Sequence, residues 1–381
     1  MLGRSHLRDA TMPSVDPPPR TPAVRPLGAY LAIVAIVAAL ALLFAWTAGW
    51  LTPDRLTPAR MTDAIEATST QPYPGFRRAH AKGVCVAGHF EGSAAAAALS
   101  KARVLAPGRT PLIGRMSIGG GSPYGLDAQA RVRSMALVLK GDDGQEWRMA
   151  MNSFPFFGVG SIEAFHAQTV ASAPDPATGK PDPARMAAFA AAHPESAKFA
   201  AWAKSAPWSD SFANTQYNGI HAFRFADTDG GSRMVRWAMR PQAPFVELPQ
   251  AQREAAADDY LQQDLQTRLA AGPLRWDMVA TVAGAGDDSA DPSTPWPEDR
   301  EQVVIGTVVI ERAEPQATGP CRDLNFDPTV LPPGVAVSDD PILAARAAVY
   351  ASSFDRRERE IASGRGAPAT TGERPATEDA P

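Results

Sequence analysis

The sequence predicts an α+β fold: an antiparallel β-barrel with surrounding helices, preceded by one transmembrane helix. Three observations carry this. An uncharged apolar run extends from Leu27 to Leu51, two hairpins turn at Asp-Gly sequences, and helical patterns lie between and after the strands. Several antiparallel strands around a wide hydrophobic interior fit a barrel better than a doubly wound sheet.

Taken in chain order, residues 1–26 carry Arg4, Arg8, Arg20 and Arg25 ahead of the apolar run. The positive-inside rule keeps this segment in the cytoplasm and sends the rest outward. The run "LGAYLAIVAIVAALALLFAWTAGWL" would form a helix of about 37 Å, enough to cross a bilayer with some tilt. Trp46, Trp50 and Tyr30 sit where interfacial anchors belong. A cleaved signal peptide is the rival reading, against which stand the length of the run and its Trp-Leu-Thr-Pro ending. Residues 52–70, with Pro53 and Pro58, read as a linker.

A folded unit is expected over 71–361. In it "SMALVLK" and "QEWRMAM" flank "GDDG", a hairpin over 134–151. A second hairpin, 221–240, turns at Asp229-Gly230-Gly231, and "VVIGTVVIER" at 303–312 is a further strand. Helical patterns cover 183–204 and 248–272. Another starts at Pro341, where Asp339-Asp340-Pro341 supplies a cap and a first-turn proline. The "GGG" at 119–121 lacks the spacing of a phosphate loop, and the small, polar, Pro-rich tail 362–381 reads as disordered.

With 381 residues, 45% of them hydrophobic, the chain can bury a sizeable core. A net charge of −4 with scattered basic residues gives no attraction for nucleic acid. Cys85 and Cys321 are too few for a disulfide framework, and no Cys-x-x-Cys or paired-His spacing suggests zinc. The two could pair with each other in an oxidising compartment or stand as buried thiols.

Two stretches could carry chemistry. In "GFRRAHAKGVCV", His80 stands directly ahead of a strand-like run. In the last helix Arg346, Tyr350 and Arg357 lie at offsets 0, 4 and 11, within about 40° of one face. An arginine one turn away stabilises a phenolate, and a phenolate is an axial ligand of ferric haem. Taken alone, the same spacing also suits a tyrosine on a helix edge beside two solvated arginines.

These residues recur in a known pattern. "RRAHAKG" with "GHFEGS" resembles the distal signature of the haem catalases, and "RAAVYASSFDRR" resembles their proximal haem-ligand signature. "SKARVLAPGRTPLIGRMS", "NSFPFF", "DPSTPWPEDR", "IGTVVIER" and "NFDPTVLPPGVAVSDDPILAAR" follow the family's order, over about residues 71–357. The resemblance implies a catalase-like fold and haem b. It makes His80 the distal histidine, Asn152 the distal asparagine and Ser117 the serine bonded to that histidine. Tyr350 would be the iron ligand and Arg346 its charge partner. Arg77, Arg115 and Arg357 would bind the haem carboxylates, and Phe157 and Phe165 would line the distal side. His80 would then move a proton from one peroxide oxygen to the departing one while Asn152 holds the peroxide. His89, His166, His193 and His221 match no catalytic position and read as structural; His6 falls in the cytoplasmic segment.

Full catalases add an N-terminal arm and a C-terminal helical domain, in whose places this sequence has the apolar helix and the short tail. The pattern resembles the catalase-related peroxidases, core-only relatives that use hydrogen peroxide or organic peroxides to oxidise small donors. Departures at "QYNGIHAFRF" and at Phe354 weaken strict catalase behaviour. The expectation is a haem peroxidase with an organic electron donor, anchored in a bacterial-type inner membrane, facing the periplasm, and monomeric or homodimeric. A true catalase and a non-enzymatic haem-binding or haem-sensing protein are the alternatives.

Overall fold

The computed structural model describes residues 27–48, 50–52 and 55–366. The expected cytoplasmic segment 1–26 and the tail from 367 onward lie outside the described residues. Helix α1 (Leu27–Thr47) is apolar throughout, buries none of its residues in protein and is long enough to span a membrane.

Ten strands follow among the described residues: β1 (Gly83–Gly92), β2 (Gly108–Ile118), β3 (Arg133–Lys140), β4 (Glu146–Asn152), β5 (Tyr217–Asn218), β6 (Phe223–Ala226), β7 (Ser232–Pro241), β8 (Leu274–Val282), β9 (Gln302–Pro315) and β10 (Val335–Val337). They form one antiparallel sheet in the order β10-β6-β7-β5-β4-β3-β2-β1-β9-β8, and pairing of β7 with β8 closes eight of them into a barrel. Closure leaves the barrel strands without a free edge. Both hairpins read from the sequence form, as β3–β4 and β6–β7.

Alternation along the strands separates two environments. Met116, Met135, Leu137, Trp147, Met149, Met151, Trp237 and Trp276 belong to the main core and are almost wholly buried. The opposite parity of β2, β3 and β4 holds Arg115, Ser117, Ser134, Ala136, Ala150 and Asn152, all on a cavity that Met135 and Met151 of the core also border. Small and polar side chains there leave space, and helices roof it.

The helices are α2 (Pro58–Glu66), α3 (Ile162–Ala171), α4 (Pro183–Ala192), α5 (Ala197–Ser205), α6 (Gln250–Ala255), α7 (Tyr260–Ala271) and α8 (Pro341–Ala362). The two long helical patterns are each broken. Pro194 disfavours helical backbone at His193, which ends α4, and extended Ala256 separates α6 from α7. Helix α8 begins where the sequence indicated, with Asp340 accepting from the amides of Ile342 and Leu343.

The expected linker 52–70 requires correction. Its second half is α2, with Pro58 at the first position and Thr57 accepting from Arg60 N. This helix packs on α8: Arg356 reaches Asp63 at 2.6 Å and Glu66 at 2.7 Å, and Thr62 Oγ1 donates to Ser352 Oγ at 3.1 Å. Arg78, 4% exposed, ties Glu66 at 3.1 Å to Glu360.

Candidate active site

Between the outer face of β2–β4 and helices α2, α3 and α8 lies a cavity that gathers every site residue read from the sequence. His80, Asn152, Ser117, Arg77, Arg115, Arg346, Arg357, Phe157, Phe165 and Tyr350 all line it. Strand register supplies one wall. Gly83, Ser117, Ser134, Asn152 and Asn218 stand in a single row across β1–β5.

One expectation is corrected here. Ser117 lines the cavity, but the hydroxyl bonded to the histidine is that of Ser134, whose Oγ lies 3.1 Å from His80 Nδ1. Ser134 occupies the middle of the row, flanked by Ser117 and Asn152, and its Oγ also donates to Asn152 Oδ1. A hydroxyl has one proton. With that proton on Asn152, Ser134 accepts from His80 Nδ1–H, which leaves Nε2 with a lone pair and the Asn152 amide N–H groups unused by this triad.

The histidine is held under constraint. His80 adopts φ +55°, and Ile220, also on the cavity, adopts φ +66°. For side-chain-bearing residues such conformations cost about 1–3 kcal/mol each, and they persist where surrounding structure over-determines them. Burial, and then the positive field of Arg115, lowers His80 to about 4, so the ring is neutral at neutral pH.

On α8, Arg346 Nη2 donates to Tyr350 Oη at 2.8 Å, with its guanidinium 5.3 Å from the ring centroid. The four-residue spacing read from the sequence thus becomes a direct contact. His221, read as structural, is fully buried with Nδ1 2.6 Å from Asp340 Oδ2, the carboxylate that caps α8. It fixes the start of the helix that bears Tyr350. The sequence reading also missed Met61, Thr62 and Ile65, through which α2 lines the cavity.

The arginines test what the cavity can hold. Among the described residues Arg115, 3% exposed, has only neutral partners: Gln316 Oε1 at 2.8 Å and Ala81 O at 3.0 Å. Arg77 donates to the carbonyls of Cys321, Arg322 and Leu324 at 3.1, 3.2 and 2.8 Å. Arg357, 4% exposed, has Glu358 at 3.3 Å and a buried Nε with no partner among the described residues. Burial, followed by repulsion from Arg357, lowers Arg77 to about 9, and burial with the charges of Arg77 and Arg357 holds Arg115 well below the usual guanidinium range. Three cations gathered in a low-dielectric wall repel one another and call for anions. A flat apolar ligand with two carboxylates fits that demand, and haem is such a ligand.

A closed eight-stranded barrel with a Tyr–Arg helix on one side of a cavity and a His–Ser–Asn cluster on another defines a catalase-type protein. The catalase family model matches residues 56–359, and the chain belongs to that family. Within it the chain falls in the catalase-related peroxidase branch. It is 35% identical over 306 residues to a catalase-related peroxidase of Synechococcus elongatus, covering 80% of this chain and 90% of that protein. It is 32% identical to the catalase-related peroxidase of Mycolicibacterium paratuberculosis, covering 79% and 95%. Among solved structures, a fungal catalase superposes with a TM-score of 0.67 at 19% identity, over 77% of this chain and 61% of that one. This likeness concerns the fold, and the chain spans about three fifths of that larger protein.

Proposed function

We propose that this chain is a membrane-anchored haem peroxidase that reduces hydrogen peroxide or organic peroxides with an organic electron donor. The observation that carries the reading is the convergence on one cavity of a tyrosine bonded to arginine, a neutral histidine bonded to serine, and three arginines of which Arg77 and Arg115 have only neutral partners among the described residues. Membership of the catalase-related peroxidase branch supports the same class of reaction. The α1 helix supports the anchor, with the domain on the periplasmic side of a bacterial-type inner membrane.

In this reading Tyr350 would hold the haem iron, and Arg346 favours the anionic phenolate oxygen by hydrogen bond and charge. Arg77, Arg115 and Arg357 hold the carboxylates, and Phe157 and Phe165, 5.0 Å apart, form an apolar wall. When bound, the haem would supply the electrons for cleavage of the peroxide O–O bond, with two electrons and two protons drawn from the donor restoring the resting state and releasing the second oxygen as water. His80 Nε2 takes the proton from one peroxide oxygen and gives it to the other as it leaves. Ser134 keeps His80 in the tautomer that leaves Nε2 basic, and the Asn152 amide donates to the peroxide. Peroxide and donor are the small-molecule partners.

Parallel assays of the haem-loaded protein test the choice of activity. Oxidation of a chromogenic donor by peracetic acid and hydrogen peroxide, exceeding oxygen release from hydrogen peroxide alone, is the expected result. Fast oxygen release with no donor oxidation would instead establish a catalase.

A further inference from the structure

Behind the arginine wall lies the only cysteine pair of the sequence, and the structure joins it: Cys85 on β1 is bonded to Cys321, both wholly buried, across a sequence separation of 236. We propose that this disulfide is a positioning device for haem binding, acting through Arg77 and Arg115 on the haem carboxylates. The inference rests on the haem reading above and adds residues that reading does not use.

The segment 316–326, which follows β9, is the intermediary. It offers Arg77 three backbone carbonyls and a ring, Phe326, 5.5 Å below the guanidinium. It offers Arg115 the side chain of Gln316, which is itself anchored by donating to Ala81 O at 3.0 Å. Cys321 is thus both a carbonyl partner of Arg77 and the point at which the segment is bonded to the barrel.

On the barrel side, Cys85 is paired in register with Arg115 itself. One cross-link therefore fixes the segment against the strand neighbour of one arginine while holding the carbonyls that aim the other. Two glycines permit this closeness. A Cβ at Gly319 would meet the Cys85 Sγ and Cβ at 2.8 Å, and one at Gly83 would meet the Arg115 guanidinium at 2.6 Å.

Besides this bond and the contacts with Arg77, Arg115 and Ala81, the segment is held by Arg148, which donates to Asn325 O at 2.7 Å, and by a small apolar cluster in which both cysteines join Val138 and Phe326. The eight-stranded barrel closes through its own ladders without it. Loss of the cross-link should consequently disturb the arginines more than the fold. Partners behind a binding group typically change its affinity by about 10–100-fold.

The test compares haem b with haem b dimethyl ester, which lacks both carboxylates, by spectrophotometric titration of the full chain. Wild type should bind haem more tightly than the ester. The Cys85→Ala/Cys321→Ala double variant should lose on the order of tenfold in haem affinity, with the ester affinity unchanged. Gln316→Ala, which keeps the disulfide, should show a loss in the same direction, and chemical reduction of the disulfide in the folded wild type, with the same haem-against-ester comparison, decides the matter if the double variant does not fold. Equal losses for haem and ester would reduce the bond to general stability and overturn the inference, as would an unchanged haem affinity. Wild type binding neither ligand would overturn the haem reading itself.

Discussion

His80 can act as the base toward the cavity only if Nε2 is the ring nitrogen that keeps its lone pair, and that choice of tautomer depends on Ser134. Removing the hydroxyl frees the ring and its tautomer. Ser134→Ala should lower kcat/KM for peroxide about 10–100-fold, whereas Ser117→Ala should stay within about threefold, both read from donor-oxidation kinetics. Comparable losses would return the role to Ser117. The pH dependence follows from the same ring. Because burial and Arg115 lower His80 to about 4, acidification should remove the base only as pH falls through about 4. An acid limb near the ordinary histidine value of about 6.5 would contradict this environment. The linkage has a definite sign: below about 6.5 the unfolded chain takes up a proton that the folded ring refuses, so this group lowers stability as pH falls toward about 4. Most of the site was legible at this scale, because histidine, tyrosine and arginines stand within recognisable segments. Ser134 was not, although pairing residues back from the Gly141–Gly144 turn sets it opposite Asn152. Which of two neighbouring serines meets the ring depends on how the chain before β1 enters, and that backbone carries a positive φ the sequence does not announce.

Among the elements, α2 is the one the sequence concealed. Two prolines and polar residues suggested a linker, yet Thr57-Pro58 is a helix start and Met61, Thr62 and Ile65 belong to the cavity wall. The hairpins and α8 were legible because their turns and caps are local; α2 owes its place to ion pairs with Arg78 and, far along the chain, with Arg356. Arg78 is the centre of these, buried between Glu66 of α2 and Glu360 of α8. Arg78→Ala leaves two partly buried carboxylates without it and should cost about 3 kcal/mol in denaturant unfolding. A loss below about 1 kcal/mol would show that α2 is held by other contacts. A chain starting at Gln71 should bind haem less tightly than one starting at Leu56, because only the latter keeps α2 over the cavity.

At the scale of the whole molecule, an apolar N-terminal helix precedes a barrel with a packed interior and a cavity against its outer face, where the proposed chemistry lies. If α1 is an uncleaved anchor, the full chain should stay with the membrane fraction through alkaline carbonate extraction; release, with loss of the N-terminal residues by mass, would indicate a cleaved signal. The central claim is that the cavity binds haem through Tyr350 and reacts with peroxide. Its most direct test is the optical spectrum of the haem-loaded protein and of Tyr350→Phe, each recorded before and after peracetic acid and again after an electron donor. The expected result is a high-spin ferric spectrum in wild type that shifts with peracid and returns with donor, and loss of haem or of that spectrum in Tyr350→Phe. An unchanged spectrum in the variant, or a wild-type spectrum indifferent to peracid, would contradict the claim.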